Sequence, residues 1–153
     1  MKAMVGTQYG SHDILHVQEV AKPTPQDNEV LVKVHAVSVN AADLHSMSGK
    51  PFLMRLMGFG LLKPKNTILG AAIAGRIEAI GGSVKQFQPG DEVFGDVSGS
   101  GWGGFAEYVC ASADVLVLKP TNMTFTQAAA VPLAAVTALQ GLRDTGHIQG
   151  VFA

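Results

Sequence analysis

Apolar and polar residues alternate through three early segments, 2–9, 14–20 and 29–39, and a period of two predicts strands. In the longest, EVLVKVHAVSV, the residues Val30, Val32, Val34, Ala36 and Ser38 fall on one face, and Leu31, Lys33, His35, Val37 and Val39 on the other. One of these faces must be core. After Asn40 the segment AADLHSMSG reads as a short helix ended by Gly49, and residues 51–66 have no clear period and read as an irregular loop. The runs AIAGRIEAIGGSV and GDEVFGDV are β-branched, bounded by glycines and joined through the turn QPGD, and FAEYVCASADVLVL supplies more strand. Short strands punctuated by glycine predict a small, partly open β-barrel. The pattern then changes. Thr124 and Gln127 form a capping box ahead of an alanine-rich run, Pro132 suits the first turn of a second helical segment, and Gly146 would end it. Two helices, or one kinked helix, are expected there. The predicted class is mainly β with a few helices (α+β). One domain covers residues 1–149, helical over 124–146, followed by a short tail, 150–153.

Composition narrows the function classes. With 153 residues, 47% of them hydrophobic and 15% charged, the chain can build one core and is short for two. Eleven Lys and Arg against twelve Asp and Glu give a net charge of -1, which offers no field for a nucleic-acid backbone or an anionic membrane surface. No run approaches the ~18 consecutive apolar residues of a membrane span, so none is expected. Cys110 is the single cysteine, and the N-terminal MKAMVGTQYG lacks the pattern of a secretory or transit signal, so a reducing cytoplasm is expected.

Candidate chemistry is sparse. Gly99, Gly101 and Gly104 spell GxGxxG in GSGWGG, but the next segment reads as strand, so no helix N-terminus is aimed at a pyrophosphate and a plain loop is expected. His12, His16, His35, His45 and His147 show no metal-binding spacing with one another or with Cys110. His45 follows Asp43 closely and either lines a pocket or caps the helix, capping being the simpler role. Cys110, in a YVCAS strand run, is expected to be a buried inert thiol. The polar group Asn40, Asp43, His45 and Ser46 gathers straight after the longest strand, where a scaffold can hold side chains rigidly. From composition alone, helix capping accounts for Asn40 and Asp43.

The order of segments says more. VLVKVHAVSVNAADLHSMSGKP, then ILGAAIAGRIEAIGGSVKQFQPGDEVFGD, then GGFAEYV, then AAAVPLAAVTALQGL, resembles the N-terminal, GroES-like domain of medium-chain dehydrogenases and reductases. Its most diagnostic part is the spacing of Gly70, Gly75, Gly81, Val84, Phe87, Gly90, Asp91, Val93 and Gly95. Zinc alcohol dehydrogenases of that family carry a Cys where this chain has Asn40 and a His where it has Ala71, and the four-cysteine zinc lobe is missing too. The chain therefore resembles the zinc-free quinone oxidoreductase branch, matched by Asn40, Asp43 and Gly49. Relatives usually carry an acidic residue where Ala72 stands, a departure from the pattern.

The resemblance implies an NADPH-dependent reduction of quinones or α,β-unsaturated carbonyls by hydride transfer, without zinc. It implies Asn40 and Asp43 as catalytic-site residues, with Asn40 facing the nicotinamide and Thr137 contacting it from a helix. Thr137 could equally bond only to its own helix. Phe52, Met57 and Trp102 are candidate cover over a flat ring, or simple packing. Family members run to roughly twice this length, with a parallel-sheet cofactor domain expected directly after LQGLRDTGHIQ, so this chain is expected to be a part inactive on its own. The branch is often dimeric, through the half that follows. The alternatives are a stand-alone, non-catalytic GroES-like binding or oligomeric module, and an alcohol dehydrogenase-like oxidoreductase.

Overall fold

A computed structural model describes residues 1–53, 55–56 and 60–148 of the chain. Its centre is a five-stranded antiparallel sheet built from β3 (Glu29–Ser38), β4 (Ala72–Ile80), β5 (Glu92–Asp96), β6 (Tyr108–Ser112) and β7 (Leu116–Leu118), in the order β6-β3-β4-β5-β7. A two-stranded ribbon, β1 (Lys2–Val5) with β2 (His16–Glu19), is tied to it by single bridges from Ala3 to Ala106 and from Val5 to Ile68. These are open sheets rather than a closed barrel, and every pairing is antiparallel. No doubly wound parallel sheet of the kind that binds dinucleotides occurs among the described residues.

Alternation predicts β3 closely and then loses phase. Val34 pairs with Gly75 but Ala36 pairs with Ala74, so His35 is an extra residue that bulges out of the ladder. A one-residue slip exchanges the faces. Val30, Val32 and Val34 share a core with Val37, whereas Ala36 turns to the opposite side and meets Ala74, Ala128 and Ala129 under the C-terminal helix. The bulged His35 ring stacks on Phe125 at 4.4 Å between centroids. Gly75 sits opposite this bulge, and a Cβ there would lie 2.2 Å from the Lys33 carbonyl oxygen, which explains one glycine of the diagnostic series.

The main core holds Val30, Val32, Ile73, Ile77, Val93 and Val97, all fully buried. Burying a side chain of this size contributes about 1.5–3 kcal/mol. Two of the expected strands shorten: β1 stops at Val5, and a single turn at His12–Ile14 precedes β2. The run FAEYVCASADVLVL divides into β6 and β7 around a turn at Ala113–Val115. The GSGWGG segment is a loop that leads towards β6 and opens no helix.

Two longer helical segments are described beside the sheets. The first, α1 (Ala41–Ser48), follows β3 at once and ends on Gly49, which takes the left-handed conformation (φ 63°) that favours glycine. The second begins as α2 (Phe125–Ala129), whose capping box is formed by Thr124 and Gln127. Its helical path continues with widened turns as one stretch, Phe125–Thr145. That stretch is, by length and composition alone, apolar enough to cross a membrane, a property that counting consecutive apolar residues misses because Pro132, Gln140 and Arg143 break the run. Val136, Leu139 and Leu142, three residues apart, are each at least 40% exposed along it.

Candidate functional site

The polar residues singled out after β3 meet at the N-terminus of α1. Asn40 is the N-cap residue, and its side-chain amide donates to the Ser38 hydroxyl (3.0 Å) and the Ser38 carbonyl (3.2 Å). Asp43, one turn into the helix and only 3% exposed, accepts two backbone hydrogen bonds. Its Oδ2 takes the Asn40 N–H (2.8 Å) and its Oδ1 takes the Gly70 N–H (3.0 Å). Asp43 thus ties the start of α1 to the segment that enters β4. This brings Asn40 and Ala71, far apart in sequence, to one corner of the fold.

The other side of that corner is equally fixed. Gly104 N–H donates to the Gly70 carbonyl, Phe105 N–H to that of Leu69, and Val97 N–H to that of Ala71, all within 2.9 Å. Gly70 has φ 94°, and a Cβ on it would lie 2.5 Å from the Phe105 nitrogen. Leu69, Ala71 and Trp102 form a small second core, with Ala42, Met47 and Phe105 packed against it.

Burial pushes the Asp43 carboxyl above its ordinary value of 3.8, opposed by the backbone N–H groups of Asn40 and Gly70, which favour the carboxylate. A carboxyl raised in this way holds its proton more tightly folded than unfolded. Its contribution to stability is fully present below the unfolded value and is lost as pH rises through the folded one. On lowering the pH from neutral towards 3.8, wild type should gain stability relative to Asp43→Asn. Chemical denaturation of both proteins across that range checks this, and a difference that moves the other way would contradict it.

Beside the corner lies an apolar cavity of about 490 Å³, lined by Met4, Leu15, Val37, Leu44, Leu69 and Phe105 among others, with Asp43 in its wall. Since both Asp43 oxygens are taken by backbone N–H groups, the cavity suits uncharged, apolar matter. The reductase reading implies an apolar pocket beside Asn40, but Phe52 and Trp102 are not among the residues that line this one. The available signal was the spacing of Asp43, Leu44 and Met47 on one short helix, directly after Val37 and Val39.

The remaining candidates are placed as follows. Trp102 is buried in the second core, with φ 67°, and does not line the large cavity. Phe52 is 59% exposed and lies 5.7 Å from the Arg55 guanidinium. That guanidinium also stacks over Tyr9 at 4.1 Å and donates to the Gly49 carbonyl. Met57 lies outside the described residues, as does Gln149. Thr137 is exposed on the C-terminal helical stretch, and no hydrogen bond joins it to the Asn40 corner. His45 Nδ1 lies 3.0 Å from the Lys50 carbonyl, at the far end of α1 from Asn40.

Cys110 lies on β6, half-buried, and burial together with the nearby Glu29 carboxylate pushes its thiol up to about 11. Since the thiolate is the reactive form, alkylation by iodoacetamide at pH 8 should run about a hundredfold slower than for an ordinary thiol. Mass spectrometry of a time course measures this, and labelling at the ordinary rate would contradict it.

Among the described residues no group of three His, Cys, Asp or Glu side chains could hold a metal ion; Asn40 and Ala71 carry neither thiolate nor imidazole, and His12 lines the adjoining cavity. A dinucleotide fares little better. Among the described residues no glycine-rich loop opens a helix, so none of them forms a phosphate cradle of that kind.

Comparison with known proteins agrees with this architecture. The alcohol dehydrogenase GroES-like domain family matches residues 26–121. The chain belongs to that family, within the medium-chain dehydrogenase/reductase superfamily. It is 36% identical to 2-methylene-furan-3-one reductase of Solanum lycopersicum, over 98% of this chain and 39% of that protein. It is 35% identical to the chloroplastic NADPH-dependent alkenal/one oxidoreductase of Arabidopsis thaliana, again over 98% and 39%. Among solved structures, the quinone oxidoreductase from Coxiella burnetii superposes with a TM-score of 0.85 at 33% identity, covering 98% of this chain and 46% of that one. The chain therefore spans about two fifths of the length of the curated relatives it matches, and those relatives are oxidoreductases.

Proposed function

We propose that this chain is the substrate-side domain of an NADPH-dependent reductase of quinones or α,β-unsaturated carbonyls that works without zinc. The observation that carries the reading is the corner where Asp43 joins Asn40 to Gly70 and Ala71. The resemblance puts the catalytic zinc ligands of alcohol dehydrogenases at the positions of Asn40 and Ala71, and here an amide and a methyl group stand there. A substrate whose reduction needs a metal-polarised alkoxide is poorly served by such a corner. A conjugated acceptor is better suited, because its own π system delocalises the charge that a hydride brings. The nicotinamide would supply that hydride, and this chain would supply position and a dry, apolar surround. In this reading Asn40 meets the reacting end of the cofactor and substrate, Asp43 fixes the helix that carries it, and Thr137 lies on the nicotinamide side. Phe52, Met57 and Trp102 cover or support the ring. The resemblance suggests that the rest of the cofactor site belongs to a domain that follows.

Replacement of Asn40 tests the assignment. In the protein expressed from its whole reading frame, Asn40→Ala should lower kcat for NADPH oxidation by 1,4-benzoquinone about tenfold or more, on the scale of a lost positioning contact, while the melting temperature falls by only the ~2–4 °C expected for loss of an N-cap side chain. Unchanged turnover would remove Asn40 from the site. A stand-alone binding module would show no turnover in either form.

A further inference from the structure

Lys119 follows β7 directly and opens the turn that leads into the C-terminal helical stretch. Its side chain is only 5% exposed, and its ammonium meets three oxygens: the Met123 carbonyl (2.7 Å), the Glu92 carboxylate (3.0 Å) and the Pro120 carbonyl (3.1 Å). An ammonium has three donors, one for each of these oxygens. The same ammonium lies 5.4 Å from the ring centroid of Phe125, the first residue of α2. Glu92 is also held by Arg76, its partner across the β4–β5 pair (2.7 Å), and its carbonyl accepts the Lys119 N–H (2.7 Å). One side chain therefore closes residues 119–124 on themselves and moors them to the sheet.

The rest of the stretch depends on this base. Ala128 and Ala129, packed with Ala74, are the last buried residues along it among those described. Thr137 stands twelve positions beyond Phe125, which at 1.5 Å per residue is roughly 18 Å, so a tilt of ~5° at the base displaces it by roughly 1.5 Å. A misplacement of about 1 Å can cost about a hundredfold in rate. We propose that Lys119 is a positioning residue, which fixes the base of the C-terminal helical stretch and, through it, the place where Thr137 meets the nicotinamide. The inference rests on the reductase reading above, which puts Thr137 on the nicotinamide side.

Lys119→Met keeps the length of the apolar stem and removes all three donors. In the protein expressed from its whole reading frame, assayed below the melting temperature of each variant, it should lower kcat for NADPH oxidation by 1,4-benzoquinone about tenfold and change KM for NADPH by less than about twofold. Lys119→Arg, which retains charge and donors, should recover most of that loss, and Lys119→Gln should show the same pattern at smaller amplitude if methionine prevents folding. In a Thr137→Ala background, Lys119→Met should lower kcat further by no more than about twofold, because the contact it positions is already gone. Hydrogen exchange gives a readout that needs no turnover. In Lys119→Met the amides of Ala128 and Ala130 should exchange about tenfold faster, while those of Val30 and Val32 keep their protection. A wild type that does not oxidise NADPH would sink the reductase reading and this inference with it. A wild type that turns over, with Lys119→Met equally fast, with unchanged exchange at Ala128 and Ala130, or with Lys119 and Thr137 losses that simply multiply, would sink the inference alone.

Discussion

Asp43→Ala should destabilise the protein by about 3 kcal/mol, lowering its melting temperature by about 6–12 °C. The carboxylate accepts from the N–H groups of Asn40 and Gly70 in a place that is almost closed to solvent. Alanine leaves both donors without a partner at once, and an unsatisfied buried donor costs about 1–3 kcal/mol. Relief from burying a charge offsets part of that loss, which keeps the expected figure below the sum of the two. Asp43→Asn keeps one acceptor but sets an amide N–H against one of the two donors, so its loss should be smaller. Thermal unfolding of the three proteins gives the order: wild type, then Asn, then Ala. Equal stability of wild type and Asp43→Ala would mean that the corner is not held by this carboxylate.

Gly70→Ala is the second large effect, with an expected loss of about 3 kcal/mol or failure to fold. Its φ of 94° belongs to the region that side chains rarely adopt, and the added Cβ would meet the Phe105 nitrogen at 2.5 Å and the Gly104 carbonyl carbon at 2.8 Å. Both of those atoms are backbone and cannot swing aside. To admit the methyl group, the hydrogen bonds from Gly104 to Gly70 and from Phe105 to Leu69 would have to lengthen. Since Gly70 also donates to Asp43, the two substitutions share one structural element. Combining them should cost less than the sum of the single losses, and a double-mutant cycle measures the difference. Strict additivity would show that the two residues act independently.

Much of this architecture is legible in the sequence, and the exceptions have physical causes. Period-two alternation located β3, and capping chemistry placed the start of α2 at Thr124 and Gln127, because both signals are local. The face of β3 beyond Val34 was misassigned, since the bulge at His35 is set by pairing with β4, which no local pattern records. The site was legible in part. Asn40 and Asp43 stood out as a polar group after a buried strand, but nothing local could show that Asp43 spends both oxygens on the backbone, one of them 27 residues away. An apolar pocket beside Asn40 follows from the resemblance, but its lining is not legible for the same reason, as the wall is drawn from β1, β3, α1 and the loops before β4 and β6. For Trp102 the sequence leaves ring cover and simple packing both open, and its contacts with Leu69 and Ala71, which no local pattern records, place it in the second core.

Metal dependence of turnover is the most direct test of the central claim. The protein expressed from its whole reading frame should oxidise NADPH with 1,4-benzoquinone at the same rate before and after exhaustive treatment with 1,10-phenanthroline, and added zinc should not raise that rate. Activity that disappears on chelation and returns with zinc would contradict the account, because it would place a metal where Asn40 and Ala71 offer no ligand for one.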